Sequence, residues 1–217
     1  MPGQKHNILS EAKGQLEASV RPIAEVTAST ITGLQAECFP IKGQQPDLPP
    51  KPRFGSFLKV ESQAYELYAV VHNVVTGPQD SVHKPSALGL TREELRVQQP
   101  QIFSLLKTEV HALLIGYGMN GRIHQHLPPH PADVHDFVYA AQPEEIAALT
   151  EDFEFLRLLF SVSDIPADEL IAATIREAHL ALGRDNQFLL DAGRVLSTML
   201  RADYDRLLSI LKKIKPS

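Results

Sequence analysis

The segment Val110–Pro131 constrains the fold more than any other part of the chain. An apolar run, Val110–Tyr117, meets a glycine turn, which is followed by a group of histidines and prolines. A short apolar run bounded by a turn is typical of a buried strand. Because Pro128, Pro129 and Pro131 remove backbone donors and fix φ, no helix of useful length can follow. The segment therefore predicts a strand that closes a small barrel, and then the loop that leaves it.

The three glycines of this segment match the spacing G-x-G-x-x-G of a dinucleotide-binding fingerprint: Gly116, Gly118 and Gly121. In that fingerprint the third glycine opens a helix, whose N-terminal amides hold the pyrophosphate. The prolines exclude such a helix, so we interpret the glycines as a turn or bulge. No G-x-x-x-x-G-K-[ST] motif occurs in the sequence, and a P-loop nucleotide hydrolase is therefore not expected.

Four of the nine histidines lie within twelve positions: His124, His126, His130 and His135. In an extended chain His124 and His126 share a face, and two such imidazoles could hold zinc or iron with Asp133 or Asp136 as an oxygen ligand. The other interpretation is a loop at the barrel rim, in which the imidazoles make ordinary hydrogen bonds. We expect no cofactor, with a divalent metal bound by the four histidines as the alternative.

Runs rich in β-branched residues, several with alternating polarity, predict the remaining strands. These runs are Ile23–Ile31, Leu34–Phe39, Phe54–Val60, Tyr65–Val75 and Asp136–Tyr139. Between them Thr91 and Glu94 form a capping-box pattern, which predicts a short helix within the strand-rich part. The predicted fold is α+β, with a flexible leader over residues 1–17 and a small N-terminal β-barrel with short helical insertions over residues 18–146.

From Pro143 onwards the composition favours helices, and residues 147–217 are predicted to form a C-terminal helical domain. Pro143 suits a first helical position, Pro166 opens another helix, and Gly183 ends it. The final helix is predicted to run from about Asn186 to Ile214. Its apolar residues recur at steps of three, four and seven: Leu189, Leu196, Leu200, Leu207, Leu211 and Ile214. Such a stripe needs a partner surface, which is usually the helix's own domain.

Charge and cysteine content narrow the function classes. The formal net charge is −5, with 21 Lys and Arg against 26 Asp and Glu, so direct binding to a phosphate backbone is not favoured. Cys38 is the only cysteine, which excludes an intramolecular disulfide and fits a reducing compartment. The N-terminus lacks the apolar core of a secretion signal, and no window approaches a membrane span. We expect a cytoplasmic protein with no membrane segment.

Three stretches in the first half resemble the HAS barrel, the small β-barrel shared by HerA-type DNA translocases and ATP synthase subunits. They are Ile23–Cys38, Gly55–Val60 and Glu66–Val74. A fourth, Leu127–Ile146, looks like the exit from that barrel, where paired prolines precede an extended segment and an acidic helix start. The similarity covers roughly residues 18–146, and its strand-and-turn motifs recur in unrelated barrels.

The resemblance implies a barrel that joins subunits, because in the family it precedes an ATPase domain and helps to assemble a ring. The residues after about 147 lack a P-loop, so translocation does not carry over, and no catalytic residue is implied. The function expected on this basis is a non-enzymatic module for oligomerisation or for docking to a protein partner, with DNA processing as its setting. The alternative from another class is a small metal-dependent enzyme that uses the cluster between His124 and His135. A third, a nucleic-acid binder with a local positive face, would bind less tightly as salt rises.

Overall fold

A computed structural model of the chain describes residues 21–39, 51–63, 65–79, 86–163, 165–183 and 186–215. The leader predicted over residues 1–17 lies outside the described residues. The strands are β1 (Ala24–Ser29), β2 (Gly33–Cys38), β3 (Phe57–Glu61), β4 (Glu66–Pro78), β5 (Leu106–Met119), β6 (Arg122–His124) and β7 (Phe137–Ala140). The helices are α1 (Arg92–Gln98), α2 (Gln101–Ser104), α3 (Pro143–Leu149), α4 (Leu156–Phe160), α5 (Ala167–Ala181), α6 (Asn186–Met199) and α7 (Tyr204–Ile214).

Six of the strands close into an antiparallel barrel in the order β1–β2–β5–β4–β3–β7 and back to β1. Strand β5 completes the closure, because it pairs with β4 along one side and with β2 on the other, from Gly33 opposite Leu113 to Glu37 opposite Glu109. β6 adds a short hairpin to the end of β5. The barrel predicted from the alternating runs, and the strand predicted at Val110–Tyr117, are confirmed.

The interior of the barrel is filled by its own side chains, most of which are small or branched. The buried set is Ala24, Val26, Leu34, Ala36, Cys38, Leu58, Val60, Leu67, Ala69, Val71, Val110, Ala112, Leu114, Tyr117, Ala132 and Val138. Apart from Ala132, which lies in the loop before β7, these side chains come from the barrel strands, largely from alternate positions, as expected for a closed sheet. The interior is a packed core, and the fold positions possible sites on the outside of the wall.

A second core lies between the helices and the outer face of β3, β4 and β5. Phe57, Tyr68, Val70 and Ile115 project outwards from the barrel and pack among buried side chains of α3 to α7. The Phe57 ring meets Phe155 edge to face, with 5.9 Å between ring centroids. This wall of the barrel is therefore covered on both faces, which explains the near-continuous apolar runs in its strands.

The prediction of one final helix from Asn186 to Ile214 is wrong. The chain breaks between α6 and α7, where Asp203 caps α7 and its carboxylate accepts a hydrogen bond from the Arg206 N–H at 3.1 Å. The two shorter helices still place the predicted apolar stripe inward, since Leu196, Leu207 and Ile214 are buried in the second core. Among the described residues no helix combines the length and apolar character that a membrane crossing requires.

The hairpin of β4 and β5 extends beyond the closed barrel and carries the short helices α1 and α2. The capping box predicted at Thr91 and Glu94 is confirmed, with both of its hydrogen bonds present. Arg92 and Arg96 lie over the ring of Phe103, at 5.6 and 5.8 Å from its centroid. We call this projecting part, Asn73–Pro78 of β4 with Leu106–Thr108 of β5, the arm.

Candidate functional site

The glycine-rich segment forms a tight hairpin between β5 and β6. Met119 pairs with Arg122, which leaves Asn120 and Gly121 as a two-residue loop with φ of 53° and 72°. Positive φ at both loop positions is the geometry of a type I′ turn, for which Asn-Gly is the preferred sequence. The interpretation as a turn is confirmed for Gly121, whereas Gly116 and Gly118 lie within β5, and no helix begins there to hold a pyrophosphate.

The hairpin brings four aromatic side chains together at one end of the barrel, and we call them the Tyr–His cluster: Tyr65, Tyr117, His124 and His126. The Tyr117 ring stacks on His124 at 5.0 Å between centroids and meets His126 edge to face at 5.3 Å. The centroids of His124 and His126 lie 5.6 Å apart, so the two imidazoles share a face as the extended spacing predicts.

His130 and His135 lie in other environments. His130 contributes its backbone oxygen, which accepts a hydrogen bond from the Tyr65 hydroxyl at 3.2 Å. The His135 ring pairs with the carboxylate of Glu25 on β1, and its backbone N–H donates to Val26 at 2.9 Å. The His135 contacts fasten the loop before β7 to β1, and the His130 bond fastens it to Tyr65, just before β4.

The two aspartates proposed as oxygen ligands have a structural part in the same loop. The Asp136 carboxylate accepts the Asp133 N–H at 2.9 Å. Throughout the described ranges, which include all of residues 124–136, no three His, Cys, Asp or Glu side chains converge where they could hold a metal ion. The structure therefore brings together two of the four predicted histidines. The pair lies against the ring of Tyr117, which in turn meets Tyr65 edge to face at 5.7 Å.

A charged network lies beside this end of the barrel and connects the sheet to α3. The Lys59 ammonium lies 3.0 Å from Glu145, 3.5 Å from Glu61 and 3.7 Å from Glu66. Burial opposes the charged form of Lys59, but the hydrogen bond to Glu145 and the charges of the three carboxylates outweigh it and raise the lysine pKa. The network joins β3 and β4 to the first turn of α3.

A groove of about 740 Å³ adjoins this network. Its walls include Glu66, Arg122 and Glu144, together with Tyr68, whose hydroxyl donates to Glu66 at 3.1 Å. Burial, followed by the charges of Glu145 and Glu66, raises the pKa of Tyr68, so the phenol stays protonated at neutral pH. The groove offers polar contacts to a ligand, but the phenol is not set up as a general base.

The open edge of β4 was not predicted from the sequence. From Asn73 to Pro78 this strand pairs with β5, and no described strand pairs with its other side. Two features of the sequence carry this information: the run Asn73–Gly77 has no charged residue, and Pro78 lies in the strand itself. Proline within a strand indicates an edge, because the residue has no N–H to give to a second neighbour.

A comparison with protein-family models finds no match to the chain, and a search of curated proteins finds no matching relative.

Proposed function

We propose that the protein is an assembly module, which works by binding protein surfaces, including those of its own copies. The observation that carries the proposal is the contrast between the barrel and its arm. The barrel interior is packed, and one wall is also covered by helices, whereas β4 continues into an arm whose outer edge no described strand pairs with. Open strand edges and exposed apolar side chains are features on which protein interfaces form.

The arm and its helices expose several large apolar side chains. Val97 on α1 is 84% exposed, and Leu105 before β5 is 58% exposed. Val75 on β4 is 41% exposed. Apolar and aromatic side chains of this kind form the centre of protein interfaces, where charged residues are depleted.

The packed interior supports the same proposal. Barrels that take up a small molecule keep an interior cavity for it, whereas here sixteen buried side chains from the described part of the chain occupy that space. The resemblance to the HAS barrel favours the proposal too, since that barrel helps to join subunits into a ring. Docking within a DNA-processing assembly is the setting that the resemblance suggests.

Sedimentation velocity over a wide range of concentrations tests the proposal, together with affinity purification from the native host. We expect a concentration-dependent oligomer or a defined protein partner. A strict monomer at high concentration that also retains no partner would contradict the proposal.

The alternative function, a metal-dependent enzyme, is favoured by one observation, the adjacent imidazoles of His124 and His126. Elemental analysis of the purified protein separates the two functions. Metal that is bound stoichiometrically by the native chain and lost in both His124→Ala and His126→Ala would favour the enzyme. Metal content that is the same in all three proteins would remove this alternative.

A further inference from the structure

The open edge of β4 begins where its pairing with β3 ends. β3 pairs with β4 from Glu66 to Val70, and the backbone of Val71 still exchanges hydrogen bonds with Gly55 and Ser56 at 2.8 and 3.0 Å. A bulge follows, since Val71 pairs with Ala112 whereas Asn73 pairs with His111. Beyond the bulge β4 pairs with β5 on one side, and no other described strand pairs with its other side.

The direction of each backbone group on the arm follows from one hydrogen bond. The Gln79 N–H donates to the Leu105 oxygen at 2.8 Å, so the backbone N–H and C=O of residue 79 point towards β5. Because backbone groups alternate sides along a strand, Asn73, Val75 and Gly77 also face β5. The backbone groups of the other arm residues of β4 face the open edge: Val74, Thr76 and Pro78.

Pro78 therefore lies at a position where its missing N–H costs the β4–β5 ladder nothing. Natural edges are usually protected by lysines or other charges, by bulges, or by a covering segment. Here no residue from Asn73 to Pro78 is charged, and three of them in sequence, Val74, Val75 and Thr76, are β-branched. The edge has the composition of a strand that pairs on both sides.

We propose that the β4 edges of two copies of this chain pair antiparallel across a two-fold axis at Val75. In this register Val74 lies opposite the partner's Thr76, and each exchanges both of its outward backbone bonds with the other. Val75 then lies beside the partner's Val75, which buries its exposed side chain against an identical one. The inference rests on the proposed assembly function and names the surface and the partner for it.

A second copy suits this edge better than a foreign peptide because the edge is self-complementary. An uncharged strand meets its own copy without repulsion. Shifting the axis to Thr76 would place the partner's Val74 opposite Pro78, which has no N–H to donate. Shifting it to Val74 would bring in His72, which lies in the bulge. The register centred on Val75 gives every outward N–H of Val74 and Thr76 an acceptor.

A charge swap at position 75 tests the inference in the full chain. We expect Val75→Glu and Val75→Lys each to weaken the dimer at least about tenfold, because like charges then meet at the axis, and an equimolar mixture of the two to restore it. Sedimentation equilibrium measures the three association constants. Within one chain residue 75 pairs with Glu109, so a Glu is repelled there and a Lys is attracted. An intrachain effect would thus have opposite signs in the two variants.

Leu190→Glu is the matched control, because Leu190 on α6 is an exposed apolar side chain far from the arm in sequence. We expect this variant to dimerise as the native chain does, and circular dichroism of all variants to show the native fold. In a second measurement, Val75→Cys should form an intermolecular disulfide on mild oxidation and Leu190→Cys should not. Facing positions in an antiparallel pair bring the Cα atoms to about 4.5–5.5 Å, within disulfide range.

Three outcomes would overturn the inference, and they bear differently on the assembly function. A dimer that is unchanged in Val75→Glu, or equally weakened by Leu190→Glu, would contradict the two-fold β4 pairing but not the proposed assembly function. A monomer that binds a different protein through the arm does the same. A native chain that is monomeric and has no partner would contradict both the β4 pairing and the assembly function.

Discussion

The two cores of the molecule differ in the side chains that fill them. The barrel interior is made of alanine, valine and leucine with one cysteine and a single tyrosine, and all of these come from the barrel's strands and connecting loops. Among the described residues, the core under the helices has three buried phenylalanines and many leucines and isoleucines, and it takes four of its buried side chains from the outer face of the barrel. A closed sheet fixes a small interior volume, whereas a layer of helices can adjust its spacing to larger side chains.

The difference shows which part of the molecule depends on the other. The barrel interior is complete without the helices, but the helical core is completed by Phe57, Tyr68, Val70 and Ile115 of the barrel wall. The helices are therefore held in place by the sheet. Substitutions where the helices pack on the barrel wall should therefore lower the free energy of unfolding strongly, because they disturb the contact that holds the helices in place.

Phe155→Ala tests this dependence with the largest expected effect. Phe155 is fully buried between the helices and Phe57, and truncating such a phenylalanine costs about 3–5 kcal/mol of unfolding free energy through lost burial and a residual cavity. Chemical denaturation followed by circular dichroism measures the loss. Leu190→Ala is the control, because Leu190 is more than half exposed and should change the free energy by less than about 0.5 kcal/mol. A loss of similar size in both variants would contradict a junction core.

The barrel interior can be tested through pH, since it contains a buried thiol. Burial, and then the charge of Glu37, raises the pKa of Cys38 from 9.0 to about 11. The unfolded chain releases this proton at lower pH than the folded chain. The contribution of the thiol to the free energy of unfolding is therefore fully present below pH 9 and is lost as the pH rises to 11. At about 1.4 kcal/mol per pH unit the loss is about 2–3 kcal/mol.

Comparing the stability of native protein and Cys38→Ala between pH 8 and 11.5 isolates this contribution. We expect the native protein to show the steeper decline and the alanine variant to lack that part of it. The Tyr68 phenol contributes to both proteins equally and cancels in the difference. Identical pH profiles, or rapid labelling of Cys38 in the folded protein at pH 8, would refute a sealed interior.

Gly55→Ala sharpens the comparison at the point where the two cores meet. Gly55 has a φ of +86°, and a β-carbon there would lie 2.6 Å from the backbone of Ala173 on α5. We expect a loss larger than in the control below, up to about 3 kcal/mol, because the forced separation of α5 from the sheet adds to the strained backbone. Gly121→Ala is the matched control. Its φ of +72° carries a similar backbone cost of about 1 kcal/mol, but open space surrounds it. Equal losses in the two variants would show that contact with α5 has no part in the effect.

Much of the fold could be predicted from local sequence patterns. Alternating β-branched residues located the barrel strands, and the capping box at Thr91 and Pro143 at a first helical position located helix starts. The break before α7 was missed because the leucine spacing continues across it. The new helix is marked by the capping bond of Asp203, which is seen in the structure. Strand order and barrel closure depend on contacts between distant residues, which a local pattern does not contain.

The candidate site was predicted only in part. The spacing of His124 and His126 predicted a shared face, which the structure has. The Tyr117 ring against them comes from β5, and the Tyr65 ring that meets Tyr117 comes from the residue before β4. The open edge of β4 depends on where β3 ends, so no property of β4 alone fixes it. The HAS resemblance, the absence of a cofactor and the interaction function stay predictions.

The two ends of β4 should differ in how fast their amides exchange with deuterium. The amide of Val71 is bonded into the barrel wall, which is covered on both sides, and should exchange only when the molecule opens widely. The amides of Val74 and Thr76, only a few residues further along, face the open edge and should take up the label at once in a single copy. Slow labelling of these two amides at high protein concentration would therefore report directly that the edge has found its partner.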